Sequence, residues 1–346
     1  MSRFGPLLLA VALLLVAWLA GGGRCERAGR EDPGSIRLTG TAFGTIWSVV
    51  FVPAAGSPPQ TEESLRATIG SVLDRVDSLM STFSEESDIV RFNESRMDTP
   101  FELDPETGRV VRAALDLARD TGGAFDPTVA PLVGMWGFGA KASEGYPSDE
   151  DIEQARARVG WSLLAWDGEG RLTRKAPSVQ LDLSGIAKGY GVDAVVRALA
   201  VYRPAGMMVE IGGDLRVTGT RPGREPWRLG IQSPEGGLDA ALQLTDTALA
   251  TSGDYRQRHG EGDERRSHII DPRTGRPANT DVASASVLAP TTLEADAVAT
   301  AIVVTGAKEA MAYVEARPWL EAMIITRRPG EDEILGSRAS SGWPIK

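Results

Sequence analysis

A histidine, an acid and a Pro-x-x-Gly turn share the eleven residues 267–277, SHIIDPRTGRP, and that histidine, His268, is one of only 2 in the 346-residue chain. An imidazole titrates near neutrality, so His268 is a candidate general base, with Asp271 either orienting the ring or shaping the turn. The plainer alternative is a strand-end histidine that is merely hydrogen-bonded. In EADAVAT, residues 294–300, Asp296 and Thr300 stand four apart and project from one face of a helix. A carboxylate and a hydroxyl on one face suit a hard, oxygen-seeking cation such as magnesium; an acid near a helix start also favours the dipole, and a threonine also bonds the preceding turn. In DLSGIAKGYGVD, residues 182–193, a strand end runs through a Gly-bearing turn into a helix start, where backbone N–H groups and Lys188 could meet an anion. Glycines at 185, 189 and 191 match neither the dinucleotide fingerprint nor the Walker loop, so a tight connection with an exposed lysine competes with the anion site.

Two further runs, MSTFSEESDIVRFN (80–93) and GAFDPTVAPLVGMWGFG (123–139), carry Phe83, Phe125, Trp136 and Phe138, which could wall a pocket for a flat ring while Asp126 accepts its hydrogen bonds. The same aromatic residues beside glycine turns also serve as core anchors. TSGDY (251–255) offers hydroxyls, a glycine and an acid after a strand, compatible with a phosphate or substrate loop and equally with a plain turn.

These groups need elements to hold them. Alternation over residues 36–52 predicts a strand pair or one long strand, broken by prolines at 53, 58 and 59. Apolar residues at helical spacing predict helices over 62–80 and 105–121, the second stopped by Gly122 and Gly123. Further helices are expected over 149–159, 187–202, 293–305 and 308–316. Residues 172–183 read as a hairpin; strands are expected at 207–211, 215–218, 227–232, 242–245, 248–251 and 282–289, and a final one at 322–326. Strands and helices mix without strict alternation and no repeat appears, which favours an α+β fold over a doubly wound sheet.

Composition narrows the partners. With 47 acidic and 37 basic residues the formal net charge is -10, so the surface opposes broad phosphate-backbone binding and no nucleic acid partner is expected. The single cysteine, Cys25, precedes the body, which excludes an internal disulfide, a thiol nucleophile or a cysteine-based zinc site there; His259 and His268 are too few for a histidine-rich metal centre. Residues 1–25 form a separate unit: Arg3, a fourteen-residue apolar run over 7–20, then Gly21 to Gly23. That is the layout of an export signal, or of an N-terminal membrane anchor if flanking residues extend the run toward the roughly 20 needed to span a bilayer. Cys25 invites a lipoprotein reading, although Arg24 before it is unlike the small residue such processing prefers. Residues 26–35 read as a tether, and one body of two lobes occupies 36–346.

The order of these runs resembles the ApbE family of flavin transferases. The resemblance spans about residues 38–326 and rests on GTAFGTIWSV, MSTFSEESDIVRFN, GAFDPTVAPLVGMWGFG, DLSGIAKGYGVD, VEIGGDLRVTG, ATSGDY, SHIIDPRTGRP and SVLAPTTLEADAVATA. It implies an ApbE-type α+β fold related to T-fold architecture, with FAD in a cleft between two lobes. It also implies transfer of FMN from FAD, the substrate, to a serine or threonine of an acceptor protein, with release of AMP. By motif, Asp182, Lys188, Ala124, Phe125, Asp126 and Ile270 would contact FAD, and Phe43 and Phe83 would pack on it. Asp296, Thr300 and the backbone carbonyl of Gly185 would hold Mg2+, and His268 would activate the acceptor hydroxyl. Phe43 stands where the family usually has methionine, Phe83 where it often has tyrosine or tryptophan, and Ala299 where some members carry a further carboxylate. The family also implies an acceptor among flavin-bearing subunits of membrane redox complexes, met at the periplasmic face of the inner membrane. An FAD pyrophosphatase releasing FMN and AMP, and an exported FAD-binding protein without chemistry, are the alternatives.

Overall fold

The computed structural model describes residues 34–344, apart from 140, 141, 144, 254–257, 260–265, 330 and 332. The leader with Cys25, most of the tether, Asp254, Tyr255 and the side chain of His259 lie outside the described residues.

The main sheet is an antiparallel meander of eight strands among the described residues, and its spatial order follows the chain. Its first half is β1 (Ile36–Ala42), β2 (Thr45–Val52), β3 (Gly206–Ile211) and β4 (Asp214–Gly219). Its second half is β5 (Thr247–Gly253), β6 (Val282–Ala289), β7 (Glu321–Arg327) and β8 (Ile334–Ala339). Side chains alternate across the pleat. Trp47, Val49 and Phe51 of β2, with Met207, Val209 and Ile211 of β3, face helix α1 (Glu62–Met80) and helix α3 (Ser184–Ala200). Val50, Val52, Met208 and Val217 face the opposite way, where the hairpin of Trp227–Gln232 and Leu238–Leu244 covers them with Trp227, Leu229 and Leu242. Each fully buried side chain of this size stabilises the fold by about 1.5–3 kcal/mol.

On the helix side, α2 (Pro105–Asp120), α4 (Thr292–Thr305) and α5 (Ala307–Glu315) complete the layer. Helix α4 packs against β5, β6 and α3, so it is apolar almost all round. A smaller body comprises the helices Ala130–Met135 and Asp149–Arg156, whose Leu132, Trp136, Phe138, Ile152 and Ala155 cluster with Ile270. Among the described residues no helix is long and apolar enough to cross a membrane.

Four expectations are corrected. The hairpin expected at 172–183 is instead one strand, Arg171–Arg174, that pairs with Leu164–Trp166 and Phe101–Glu102; Pro177 lacks a ladder donor and Ser178 is left-handed at φ 65°, so the chain does not continue as strand. Helix α3 starts at Ser184 rather than 187, because Asp182 Oδ1 accepts the Ser184 N–H at 2.8 Å and satisfies an end donor. The strand expected from 242 begins at Leu238. Strand β7 is not the last, since β8 pairs with it antiparallel; as an edge strand with mostly exposed side chains β8 lacks the apolar alternation that marks a strand in sequence.

Candidate functional site

Two tight turns share one end of the sheet. Phe43 and Gly44, at φ 52° and 70°, join β1 to β2, and Gly212 and Gly213, at φ 59° and 101°, join β3 to β4. Paired positive φ values make two-residue hairpin loops that follow the strand twist. The turns adjoin: a Cβ on Gly212 would lie 2.9 Å from Thr45 Cγ2. The second turn delivers Asp214, first residue of β4, under helix α3.

There Lys188 Nζ stands 2.8 Å from Asp214 Oδ2 and 3.1 Å from Asp296 Oδ2. Both carboxylates are 4% exposed, whereas the lysine side chain is 33% exposed, so the ammonium forms the outer face of the group. Burial disfavours the charged lysine, but Asp214 and then Asp296 outweigh it and hold the ammonium above its ordinary value. Burial, then the Asp214 charge, raises the carboxyl of Asp296, against the pull of Lys188 and the Gly189 N–H.

The two helices meet without side chains between them at Gly189, where a Cβ would lie 2.4 Å from the carbonyl oxygen of Thr292. Asp193, one turn further along α3, accepts from Thr292 N, Thr292 Oγ1 and Leu293 N at 3.1–3.2 Å. It thereby caps the N-terminus of α4 from another helix and also binds Arg216 Nη1 at 2.6 Å. Thr300 Oγ1, a helical turn beyond Asp296, lies 3.1 Å from Ser252 Oγ on β5, so its partner is across the sheet rather than in the preceding turn. The Gly189 N–H of α3 also reaches Asp296 Oδ2, at 3.2 Å.

Phe125 packs on Gly185, where a Cβ would be 3.2 Å from its ring, and Phe43 packs on Gly191. Ala124, Phe125 and Asp126 are buried. Asp126 accepts from Thr128 N at 2.8 Å, Thr128 Oγ1 at 2.6 Å and Trp161 N at 2.9 Å, so its carboxylate shapes its own loop; burial nonetheless pushes its carboxyl up. Asp182 ties that loop to α3, its N–H donating to the Pro127 carbonyl at 2.7 Å. The structure thus gathers Lys188, Asp296, Thr300, Gly185, Phe125 and Phe43 on and around α3 and α4. Phe83, just past α1, stands apart and is 76% exposed.

The 267–277 run straddles two cores: Ile269 belongs to the main one and Ile270 to the Trp136 cluster. His268 is half-buried and meets the Phe138 ring edge-on, with centroids 6.3 Å apart. Of the two roles for Asp271, the turn prevails: its oxygens accept from Arg273 N and Nε at 2.9 Å and Nη2 at 3.0 Å. Asp214 and Asp193 are the two residues that reading the sequence left without a role; each closes a Gly-containing run, VEIGGD and GIAKGYGVD, which was the available signal.

A family model described as the ApbE family matches residues 43–324. The chain belongs to the ApbE family. Two relatives named FAD:protein FMN transferase bear this out. That of Vibrio cholerae is 36% identical over 334 residues, covering 95% of this chain and 96% of its own, and that of Haemophilus influenzae is 35% identical, covering 90% and 89%. The solved flavin transferase ApbE from Vibrio cholerae aligns with a TM-score of 0.80 at 36% identity, covering 89% of this chain and 97% of its own. The ApbE architecture expected from the motifs, α+β with helices over a mixed-length sheet, is therefore the one this chain adopts.

Proposed function

We propose that this chain is an FAD:protein FMN transferase that moves FMN from FAD to a serine or threonine hydroxyl of an acceptor protein. The observation that carries this is the Lys188–Asp214–Asp296 group: an ammonium held outward on two buried carboxylates, beside oxygen donors, in a chain of the ApbE family. Among the described residues no three His, Cys, Asp or Glu side chains converge on one point, so a cation would draw on mixed oxygen donors. The donors present fit magnesium, being all hard oxygens: the Asp296 carboxylate, the Thr300 hydroxyl and the Gly185 carbonyl. These three would hold it. A bound magnesium ion supplies positive charge beside the FAD pyrophosphate and lowers the energy of the phosphoryl-transfer transition state.

Lys188 gives the diphosphate a fixed positive partner whose protonation the two acids secure. Phe125 and Phe43, set against glycines of α3, present ring surfaces for the flavin or adenine, and exposed Phe83 can close on the same ligand. Asp182 and Asp126 fix the loop under that ligand, and Ile270 adds apolar surface from the smaller body. An imidazole nitrogen of His268 takes the proton from the acceptor hydroxyl. That oxygen attacks the FMN phosphorus, the pyrophosphate P–O bond breaks, and AMP leaves with the bonding pair. The acceptor on this reading is a subunit of a membrane redox complex, met on the periplasmic side, with residues 1–25 directing export or anchoring.

Purified protein mixed with FAD, magnesium and such a subunit should yield an acceptor heavier by one FMN, and chelation of the metal should stop the gain. An unmodified acceptor with free FMN accumulating would overturn transfer in favour of hydrolysis. FAD persisting unchanged would leave only a binding role.

A further inference from the structure

Resting on the transferase reading, we infer that Asp214 is a positioning residue: it anchors Lys188 so that Asp296 can give its oxygens to a cation without releasing the lysine. The lysine has two carboxylate partners, and they are not equivalent. Asp296 lies on α4, has Thr300 one turn along the same face, and also takes the Gly189 N–H at 3.2 Å. Asp214 lies on a central strand, has the shorter contact at 2.8 Å, and is 4% exposed. Its Oδ2 has no hydrogen-bond partner among the described residues and meets the lysine as an ion pair, whereas Lys188 donates hydrogen bonds to both Asp296 oxygens at 3.1 and 3.3 Å. A charged oxygen left buried without its ammonium would be strongly disfavoured, which keeps Lys188 in place.

The strand itself is held in register with both helices. Two residues beyond Asp214 and on the same face of β4, Arg216 binds Asp193, the residue that caps α4. One strand therefore sets Lys188 of α3 through Asp214, and the start of α4 through Arg216 and Asp193. When a cation draws on Asp296, a lysine held by that acid alone would lose its anchor; with Asp214 present it keeps a full ion pair and a fixed aim at the diphosphate.

The test is the affinity for FAD, read from quenching of flavin fluorescence with and without magnesium, with FAD integrity checked by chromatography. Asp214→Asn should weaken FAD binding less without magnesium, where Asp296 still holds Lys188, than with it. With saturating magnesium it should bind roughly tenfold more weakly, the loss of one charge-assisted contact. In a Lys188→Met background the same substitution should change nothing in either condition. Equal losses with and without magnesium, as from a merely structural role, would overturn the inference, as would no loss in either. In the wild type itself, acylation of Lys188 followed by peptide mass analysis should be unchanged by magnesium; exposure of Lys188 on adding the metal would overturn the inference even if Asp214→Asn fails to fold. A wild type that takes up no FAD would instead overturn the transferase reading, and this inference with it.

Discussion

The α3–α4 pair and the 267–277 turn both carry candidate chemistry, yet they are built in opposite ways. Around the helix pair the contacts that bring the charged side chains together cross between elements distant in sequence: Lys188 to Asp214 and Asp296, Asp193 to Thr292, Gly189 against the Thr292 carbonyl. In the turn, most fixing contacts are local, with Asp271 held by Arg273 and its carbonyl accepting from Thr274 and Gly275; one longer tie is Trp136 Nε1 donating to the Gly275 carbonyl at 2.8 Å. The turn draws most of its shape from bonds within itself, whereas the charged group exists only once two helices and a strand have met.

That contrast should break first at Asp193. Asp193→Ala strips Arg216 of its buried partner and α4 of its cap, and should lower unfolding free energy by about 3–5 kcal/mol in urea melts while abolishing FAD binding. Gly189→Ala comes next: its Cβ meets backbone rather than a movable side chain, so the helices must part, at about 1–3 kcal/mol and with loss of FAD affinity. In the turn, Asp271→Ala removes bonds that are largely exposed and should lower stability by only about 1 kcal/mol, leaving the magnesium dependence of FAD binding as it was. Equal effects of Asp193→Ala and Asp271→Ala would erase the distinction between the two regions.

The finest test is pH. The Asp296 carboxyl is raised in the folded protein, so it adds stability below the ordinary aspartate value of 3.8 and that stability is lost as pH climbs through the raised value. In metal-free urea titrations the wild-type midpoint should therefore fall on going from acid toward neutral pH, and Asp296→Asn should flatten that fall. A steeper fall in the variant would contradict the burial that sets the shift.

What the sequence made legible follows the same division. Helix α1 over Glu62–Met80 and strand β6 over Val282–Ala289 match the periodicities residue for residue, because one apolar face or a wholly apolar run is written locally. Asp296 and Thr300 were found for the same reason, four residues apart on one helix. Asp214 and Asp193 were not, since nothing beside either residue says that its partner is Lys188 or the start of α4. The role of Asp271 was left open between two readings, and Arg273, two residues on, decided it once the turn closed. Edge strand β8 escaped because its exposed side chains carry no pattern, its pairing to β7 being wholly a matter of backbone.

The cap that Asp193 places on α4 also has a consequence in time. Helix α3 leaves a synthesis machine long before Thr292 does, so a nascent chain that stops short of α4 holds Asp193, Lys188 and Asp214 without the carboxylate and the helix end that complete them. Such long-range closures are slow steps in folding, because the intervening chain must first be ordered. The β1–β4 half of the meander can assemble early, and competence arrives last: a chain truncated before residue 292 would keep six of the eight strands but lack α4 and with it Asp296, and should be inactive rather than a weaker enzyme.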